Sequence, residues 1–485
     1  SCFAKEAALV LAANGIRAYL FKELRPTPEL SYAVRHLHAI AGIVITASHN
    51  PKEYNGYKVY WEDGGQVPPK RAEEILQRIQ SRHEWVIYPL KEEEALSKGL
   101  LQYIGEEVDQ AYLKDVKSLA LYPDLIREKG DKLSIVYTPL HGAANMLVYR
   151  ALQELGFSSL FTVPEQEEPD SEFSTVPYPN PEDISTFELA RKYGMKRDAQ
   201  LLIGTDPDGD RLGALCRTPE GDYKPLSGNQ VGIIMLYYLL SQKKKLGILP
   251  KDAVVIKTVA STDLADVIVK DFGVAVENVL TGFKFIAEKE KEMEEEGTGD
   301  FQFGFEESCG YLAGHFVRDK DSIIGSLLLA EATLYYQEIE GKDLFQVLEE
   351  IYGKYGYFGD DLVSITLEGK EGREQMEKIM ANLREQEVTS LGGMPVSHVD
   401  DYLIQKGKNI IGNKKEYSLT LPPSNVLRYS FVGGGFVMAR PSGTEPKIKF
   451  YFNLKVSNPQ GFPGLLSRVK SDLREYIKLP EYVKI

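Results

Sequence analysis

The chain has 485 residues, of which 43% are hydrophobic and 26% charged, and its formal net charge is −14. This balance is that of a globular protein with ample core material, and the length predicts three or four domains. No apolar run approaches the ~20 residues that span a bilayer, and the first residues resemble neither a signal peptide nor an anchor, so we expect a cytoplasmic protein without a membrane partner. The negative charge disfavours nucleic acid as a partner, although it allows a small phosphorylated ligand.

The first predicted element is a helix whose apolar face carries Phe3, Ala7 and Leu11. The helix stops at Asn14-Gly15, and a strand follows over 16–21. Because the chain opens without Met and inside a helical turn, we expect that a further segment precedes it.

Strand-like and helix-like segments then alternate through the first two thirds of the chain, which is typical of α/β domains with mainly parallel sheets. The spacing predicts a helix over 71–82, with Ala72, Ile75 and Ile79 on one face. The run 288–296 is nearly all charge and predicts a solvated helix surface. The clearest predicted strands are Ile43–Thr46, Ser134–Thr138, Leu201–Gly204, Val254–Val259 and Phe301–Phe305.

Runs rich in Pro and Gly predict a polar surface loop over 163–181 and candidate domain boundaries at 217–228 and 353–359. The pattern changes after the last of these. A strand over 362–367 leads into a helix with an apolar stripe, and two further strands follow near 435–453. We therefore expect a smaller α+β domain at the C-terminus.

The three cysteines, Cys2, Cys216 and Cys309, are far apart in the sequence. Their spacing fits neither a disulfide framework nor a zinc site. We interpret them as free thiols.

The first loop that could carry chemistry is Thr46-Ala47-Ser48-His49-Asn50-Pro51, directly after an apolar strand. A strand that ends in a sharp polar turn projects one short side chain into a cleft, where a phosphoryl group can be passed on. Ser48 is the candidate nucleophile, beside the imidazole of His49. A Ser-His pair in a turn is also an ordinary hydrogen-bonded loop element, so this loop alone is not decisive.

A second loop, Asp206-Pro207-Asp208-Gly209-Asp210-Arg211, places carboxylates at every second position after a buried strand. Such carboxylates face the same way in an extended chain, Gly209 lets the backbone bend, and hard oxygen ligands suit Mg²⁺. An EF-hand is excluded, because Arg211 and Arg217 stand where that loop needs Gly and Glu. Two alternatives stay open: a phosphatase with Asp206 as nucleophile, and a solvated acidic turn whose carboxylates repel one another.

A third loop, Arg440-Pro441-Ser442-Gly443-Thr444-Glu445-Pro446-Lys447, lies between predicted strands at 436–439 and 448–452. It combines a guanidinium fork, two hydroxyls and the backbone N–H groups around Gly443, all of which are phosphate donors. The loop predicts a phosphate cradle, and a plain hairpin loop is the alternative.

A fourth loop carries Glu306 and Ser308 at alternate positions after the strand 301–305. A carboxylate paired with a hydroxyl can exchange hydrogen bonds with vicinal sugar hydroxyls. The nearby turns 318–321 and 282–284 offer cations, which are more often surface ion pairs than ligands.

Taken together and in this order, the four loops resemble the active-site loops of the α-D-phosphohexomutase superfamily, and are most similar to those of bacterial phosphoglucomutases. The resemblance spans nearly the whole chain. It implies a heart-shaped protein of three related α/β domains and a smaller C-terminal α+β domain. We place these four domains at 1–103, 104–220, 221–350 and 351–485, each giving one loop to a central cleft.

The resemblance also implies roles for the loop residues. Ser48 would be the phosphoserine, and one Mg²⁺ would be held by Asp206, Asp208, Asp210 and an oxygen of that phosphoserine. Glu306 and Ser308 would bind sugar hydroxyls. The phosphate that is not reacting would be held by Arg440, Ser442, Gly443, Thr444 and Lys447. The remaining implied site residues are His49, Lys58 and Lys320 near the transferred proton or phosphate, Arg211 near the metal loop, and Gly282 and Lys284 near the substrate.

The implied activity interconverts glucose 1-phosphate and glucose 6-phosphate, with glucose 1,6-bisphosphate as intermediate and activator, in a monomer or weak homodimer. Phosphopentomutase, phosphomannomutase or glucose 1,6-bisphosphate synthase activity is the alternative within the superfamily, and a sugar-phosphate binder without turnover is the alternative outside it. The chain departs from the family in one respect. It lacks the N-terminal strand and the arginine loop that family members carry ahead of the first helix, so we expect domain 1 to be incomplete.

Overall fold

The computed structural model describes residues 1–82, 87–367, 369–412, 414–442 and 447–478. The chain divides into two compact units. The first unit comprises Ser1–Thr258, Val274–Glu277 and Gly282–Val347, and the second comprises Val259–Gly273, Asn278–Thr281 and the chain from Leu348 onward. Within the described residues, none of the helices has the length and apolarity that a membrane span needs.

The N-terminal part of the first unit carries two small sheets. Its elements are α1 Cys2–Ala13, β1 Ala18–Phe21, α2 Thr27–His36, β2 Ala41–Ile45, β3 Tyr57–Trp61, α3 Pro69–Gln80, α4 Glu92–Ser97, β4 Leu101–Ile104 and α5 Glu106–Lys117. Strands β1 and β4 are parallel, whereas β2 and β3 form an antiparallel pair in which Val44 lies opposite Lys58. Helix α1 packs on β1 and β4 through a core that includes Ala8, Leu9 and Leu101.

The middle of the first unit is a five-stranded sheet in the order β6-β5-β7-β8-β9. Its elements are α6 Pro123–Lys129, β5 Ile135–Thr138, α7 Asn145–Leu155, β6 Leu160–Thr162, α8 Pro164–Glu167, α9 Glu188–Arg197, β7 Leu201–Thr205, β8 Leu212–Arg217 and β9 Tyr223–Leu226. Strand β7 is central and buried throughout, parallel to β5 and antiparallel to β8. The loop that leaves β7 therefore starts from a rigid position.

A third sheet follows in the order β11-β10-β12-β13. In chain order, the elements of this part of the chain are α10 Gly228–Leu246, β10 Ala253–Thr258, α11 Leu264–Phe272, β11 Ala275–Val279, α12 Phe283–Glu296, β12 Asp300–Glu306, β13 Gly310–Leu312, α13 Ser322–Tyr335 and α14 Leu344–Tyr355. Helix α10 begins with a capping box formed by Ser227 and Gln230. Helix α13 is buried along its whole length, as expected of a helix that is apolar on every side.

The second unit contains an antiparallel sheet in the order β14-β21-β20-β19-β16-β17-β18, with the short β15 paired to β16. Its elements are β14 Tyr357–Thr366, α15 Gly369–Glu385, β15 Ser390–Leu391, β16 Met394–Asp401, β17 Lys406–Asn409, β18 Glu416–Ser418, β19 Leu427–Phe431, β20 Gly435–Pro441, β21 Lys447–Val456 and α16 Phe462–Ile477. Helices α15 and α16 share one core with the sheet, to which Met376, Ile379 and Val469 contribute. This confirms the α+β domain expected at the C-terminus.

Short 3₁₀ helices complete the described secondary structure at Gly130–Lys132, Ile184–Phe187 and Pro459–Gly461, and a π-helical turn follows α13 at Tyr336–Glu340. The five strands expected from the sequence are all present, as β2, β5, β7, β10 and β12. The sheets of β7 and β12 are mixed, because β8 and β13 return as hairpins from these strands, whereas β2 forms an antiparallel pair with β3.

The structure shows the surfaces of two helices that the sequence indicated. No residue of α3 is buried, so its apolar face, with Ile79 at 47% exposure, stays in contact with solvent. The interpretation of 288–296 as a solvated surface is wrong at Glu290 and Met293, which are buried. Glu290 is buried because its carboxylate pairs with the fully buried guanidinium of Arg318.

Candidate active site

The Ser48 loop begins where β2 ends and is folded tightly. The Ser48 N–H donates to Thr46 Oγ1 at 2.8 Å, and the Thr46 N–H donates to the Gly56 carbonyl at 3.1 Å. A Cβ at Gly56 would lie 2.5 Å from the Thr46 carbonyl oxygen, so this closure requires glycine. Ser48 itself has φ of +54°, a left-handed conformation that strains a residue with a side chain and is found preferentially at functional positions.

The Ser48 hydroxyl lies between His49 and Asp206. Its Oγ is 3.1 Å from Nδ1 of His49 and 3.5 Å from Oδ2 of Asp206. Burial, and then the cation of Arg211, lower the pKa of His49 to about 3. The imidazole is therefore neutral at physiological pH, and its Nδ1 accepts or donates a hydrogen bond at the serine oxygen according to its tautomer.

The aspartate loop leaves β7 and returns as β8, and all three of its carboxylates are buried. One oxygen from each of Asp206, Asp208 and Asp210 lies within 4.8 Å of the others. Gly209, with φ of +68°, allows the bend between them. A buried cluster of three carboxylates is unstable without compensating positive charge, because each must be desolvated beside the others.

In each of these carboxylates, one oxygen is held by donors of the protein. Oδ1 of Asp206 accepts the backbone N–H groups of Asp210 and Arg211, both at 3.0 Å. Oδ2 of Asp208 accepts from Nζ of Lys58 at 2.8 Å, and Oδ2 of Asp210 lies 2.9 Å from Nζ of Lys320. Oδ1 of Asp208 and Oδ1 of Asp210 are buried and have no hydrogen-bond partner among the described residues.

The electrostatics of the cluster are strongly perturbed. Burial, and then the charges of Asp208 and Asp210, raise the pKa of Asp206 well above its usual range. Burial also acts to raise the pKa of Asp208, but Lys58 outweighs it and the result is a lowered pKa. For Lys58 and Lys320, burial acts to lower the pKa and the aspartates outweigh it, so both ammonium groups stay charged.

Glu306 ends β12 close to Lys320 and is 5% exposed. Burial raises its pKa to about 7, while Lys320 acts in the opposite direction. A Cβ at Gly310 would lie 2.6 Å from Cδ of Lys320 and 2.9 Å from Oε1 of Glu306, so glycine lets these two side chains meet. Ser308 follows in the same loop, and Arg211 forms an ion pair with Glu182 on the other side of the aspartate loop.

Three comparisons with known proteins bear on this site. Three models of the phosphoglucomutase/phosphomannomutase family match this chain. The model of alpha/beta/alpha domain I matches residues 1–85, that of domain II matches 110–221, and that of domain III matches 227–355. The chain belongs to this family. The resemblance to the α-D-phosphohexomutases that the four loops predicted is confirmed, and so is the α/β fold with its antiparallel C-terminal domain.

Relatives of this phosphohexomutase cover most of its length. The phosphoglucomutase of Staphylococcus saprophyticus is 39% identical over 467 residues, which are 94% of this chain and 81% of the relative. The open form of parafusin, a phosphoglucomutase from Paramecium, superposes with a TM-score of 0.71 at 17% identity, over 99% of this chain and 87% of that one. A phosphoglucomutase/phosphomannomutase family protein from Burkholderia thailandensis gives a TM-score of 0.59 at 17% identity, over 90% of this chain and 76% of that one. The enzyme is thus an isomerase of the phosphoglucomutase type.

The remaining residues expected at the phosphohexomutase site lie in three places. Gly282, with φ of +114°, precedes α12, and Lys284 lies in its first turn with the ammonium over the ring of Phe285. Arg440 ends β20 in the second unit, where the Ser442 N–H donates to the carbonyl of Lys447 at 2.7 Å. Gly443 and Thr444 lie outside the described residues.

The structure also reveals supporting residues that sequence reasoning missed. Tyr60 is buried and its hydroxyl donates to Oδ2 of Asp319 at 2.5 Å, next to Lys320 in the chain. Tyr60 lies two positions after Lys58 on β3, so one face of that strand contacts the aspartate loop through Lys58 and the loop of Asp319 and Lys320 through Tyr60. The alternation Lys58-Val59-Tyr60 in the sequence was the available signal for this arrangement.

Proposed function

We propose that the enzyme is a phosphoglucomutase, which interconverts glucose 1-phosphate and glucose 6-phosphate through a phosphoserine at Ser48 and a glucose 1,6-bisphosphate intermediate. The observation that carries this proposal is the Ser48 hydroxyl, 3.5 Å from Oδ2 of Asp206 in a buried cluster of three aspartates, each with an oxygen within 4.8 Å of the others. The 39% identity to a protein named phosphoglucomutase supports the choice of sugar. Glucose 1,6-bisphosphate would also act as activator, because it can phosphorylate a free Ser48.

The residues present fit one Mg²⁺. Oδ1 of Asp208 and Oδ1 of Asp210 are buried oxygens without a donor among the described residues. In Asp206 the backbone N–H groups bind Oδ1, so Oδ2 is the oxygen that they leave. Such hard anionic oxygens are the ligands that Mg²⁺ prefers. When bound, the ion neutralises negative charge on the transferring phosphoryl group. This favours a metal site over the phosphatase in which Asp206 would be the nucleophile.

The protein residues have the following proposed roles. Ser48 Oγ carries the phosphoryl group between two sugar oxygens. Lys58 and Lys320 supply fixed positive charge at the site of transfer, which is where preorganised electrostatics are most effective. Neutral His49 positions the serine oxygen through Nδ1, and Arg211 holds the end of the aspartate loop.

The substrate side of the proposal concerns two further loops. Glu306 and Ser308 bind sugar hydroxyls. The phosphate that is not reacting is bound by Arg440, Ser442, Gly443, Thr444 and Lys447, with Gly282 and Lys284 as further substrate contacts. We also propose that the four domains extend over 1–103, 104–220, 221–350 and 351–485.

A coupled mutase assay tests this function. The protein is assayed with Mg²⁺ and a trace of the matching sugar bisphosphate, on glucose 1-phosphate, mannose 1-phosphate and ribose 1-phosphate in turn. We expect a strong preference for glucose 1-phosphate. A higher kcat/KM for mannose or ribose 1-phosphate would reassign the substrate within the family, and turnover of none of the three would contradict the proposal.

A further inference from the structure

The backbone of the aspartate loop is held from outside at three successive carbonyl groups. Each carbonyl accepts from a different segment of the first unit, in addition to the hydrogen bonds that the N–H groups of Gly209, Asp210 and Arg211 donate to Asp206 within the loop. The three contacts are Ala143 N–H to Pro207 O at 2.8 Å, Thr27 N–H to Asp208 O at 2.8 Å, and Ser322 Oγ–H to Gly209 O at 2.6 Å. Two of these segments, the starts of α2 and α13, contact the loop through a hydroxyl side chain, that of Thr27 and that of Ser322.

The hydroxyl of Thr27 contacts a metal-binding candidate directly. Thr27 is fully buried, and its Oγ1 donates to Oδ2 of Asp208 at 3.3 Å. That oxygen also accepts from Lys58, so two donors occupy Oδ2. The orientation of the carboxylate is then fixed, and Oδ1 is the oxygen left for an ion. Ligand-orienting contacts of this kind commonly tune metal affinity.

The segment before Thr27 is itself anchored. Arg25 binds Asp109 with both arms of its guanidinium, Nε to Oδ1 at 2.8 Å and Nη2 to Oδ2 at 2.7 Å. Bidentate pairs of this type fix geometry as well as charge. The start of α2 is therefore held against α5, and Thr27 has little freedom to follow the loop if the loop moves.

The hydroxyl of Ser322 acts on the loop backbone. Ser322 is the first residue of α13, and the preceding Asp321 caps this helix by accepting the N–H groups of Ile323 and Ile324. The Tyr112 hydroxyl donates to the other oxygen of Asp321 at 2.6 Å. The helix start is thus rigid, and it holds the Gly209 carbonyl at the bend between Asp208 and Asp210.

We propose that Thr27 and Ser322 are positioning residues that set the affinity of the aspartate loop for its divalent cation. Neither side chain reaches the reacting atoms. Thr27 acts by fixing the carboxylate of Asp208, and Ser322 acts by fixing the bend at Gly209. The inference rests on the proposed function only in taking the three aspartates as the metal site.

The test measures metal binding rather than activity. Binding of Mn²⁺, as a paramagnetic substitute for Mg²⁺, is measured by electron paramagnetic resonance on the full chain and its Thr27→Val and Ser322→Ala variants. We expect each variant to raise the Kd by about tenfold or more. Thr27→Ser keeps the hydroxyl, so its Kd should stay near that of the unaltered protein.

Helix α13 offers matched controls. Ser326 is fully buried one turn after Ser322, and its hydroxyl has no hydrogen-bond partner within the described chain. The hydroxyl of Thr333 donates only along its own helix, to the Leu329 carbonyl at 2.7 Å. Ser326→Ala and Thr333→Val remove buried hydroxyls without touching the loop, so we expect an unchanged Kd. If Thr27→Val fails to fold, Ser322→Ala with its Ser326→Ala control carries the test.

The outcomes separate this inference from the function it rests on. Equal Kd values for the unaltered protein, Thr27→Val and Ser322→Ala would overturn the role of the two hydroxyls and leave the metal site standing. Equal losses in Ser322→Ala and Ser326→Ala would also overturn it, because a general effect of buried hydroxyls would then explain the result. Failure of the unaltered protein to bind Mn²⁺ would overturn the metal site itself, and this inference with it.

Discussion

At the scale of single residues, the main feature of the site is that the two oxygens of each aspartate have different partners. One oxygen of each carboxylate is held by donors of the protein, which are backbone N–H groups for Asp206, Lys58 for Asp208 and Lys320 for Asp210. The other oxygens of Asp208 and Asp210 are buried without a donor. Leaving a buried anionic oxygen unsatisfied is costly, so the arrangement indicates a cation that completes it.

Asp208→Asn tests whether the carboxylate of Asp208 serves both Lys58 and a metal ion. The amide keeps the shape of the side chain but removes the charge that both Lys58 and the ion require, so we expect metal affinity and turnover to fall together. A Mg²⁺ titration of activity is the measurement, and it should show both a lower maximum and a midpoint shifted to higher concentration. An unchanged midpoint would contradict the metal assignment of Asp208.

The motifs of the proposed site were visible in the sequence, and the residues that support them were not. Ser48 and the aspartates stand in short local motifs after apolar strands, which a reader of the sequence can find. Thr27 and Ser322 reach the same loop across 181 and 113 positions of sequence, respectively. A buried Thr or Ser with one hydrogen bond leaves no pattern in the sequence, so only the fold reveals its partner.

At the scale of elements, α13 connects the aspartate loop to the core. Its first residues hold the aspartate loop, and the rest of the helix is buried on every side. Glu331 lies in this apolar environment, fully buried, and accepts the backbone N–H of Tyr122 at 2.6 Å. Burial raises the pKa of Glu331 from 4.5 to about 7, although that N–H acts to lower it.

Glu331 makes stability depend on pH. Between pH 4.5 and about 7 the folded protein keeps the proton that the unfolded chain has lost, so folding becomes less favourable as the pH rises. The loss levels off above that range at about 3 kcal/mol. Glu331→Gln does not titrate, and we expect its free energy of unfolding relative to the unaltered protein to rise by up to about 3 kcal/mol from pH 5 to pH 8.

Urea denaturation across this pH range is the measurement. Glu349→Gln, an exposed glutamate on α14, provides the control and should show no such trend. A difference between Glu331→Gln and the unaltered protein that stays constant from pH 5 to pH 8 would show that Glu331 does not keep its proton in the folded state.

The sequence predicted the boundaries of elements well for strands that are buried along their whole length. The apolar runs that became β7 and β10 were predicted within one residue at each end. The prediction failed at α12, where the run of charges conceals Glu290. A buried ion pair with Arg318 cannot be distinguished from a solvated charge in the sequence, because both use the same residues and differ only in their partners.

At the scale of the whole molecule, the chain forms two units with separate cores. The second unit includes the segment Val259–Gly273, which is distant in sequence from the C-terminal sheet. Arg428 ties this segment to the sheet, with Nη2 at 2.7 Å from Oδ1 of Asp263 and Nε donating to the Val259 carbonyl at 3.3 Å. This inclusion was not predictable from the sequence, because 259–273 reads as an ordinary strand-to-helix connection of an α/β domain.

We expect the two units to unfold in separate steps, since proteins with more than one core commonly depart from two-state behaviour. Arg428→Met removes a largely buried guanidinium from Asp263 and should destabilise the second unit by about 3 kcal/mol or more. Calorimetry should show one transition lowered and another unchanged. Arg373→Met, an exposed residue of α15, is the control and should alter neither transition. A single transition that shifts as a whole would contradict this account.

The most direct test of the central claim is the phosphorylation of Ser48. The protein is incubated with glucose 1,6-bisphosphate and Mg²⁺, and its intact mass and peptide map are measured beside those of Ser48→Ala. The account predicts a gain of one phosphoryl group, located on Ser48 and absent from the variant, together with the loss of nearly all mutase activity in the variant. A phosphoryl group on another residue, or a Ser48→Ala variant that retains most of the activity, would contradict it.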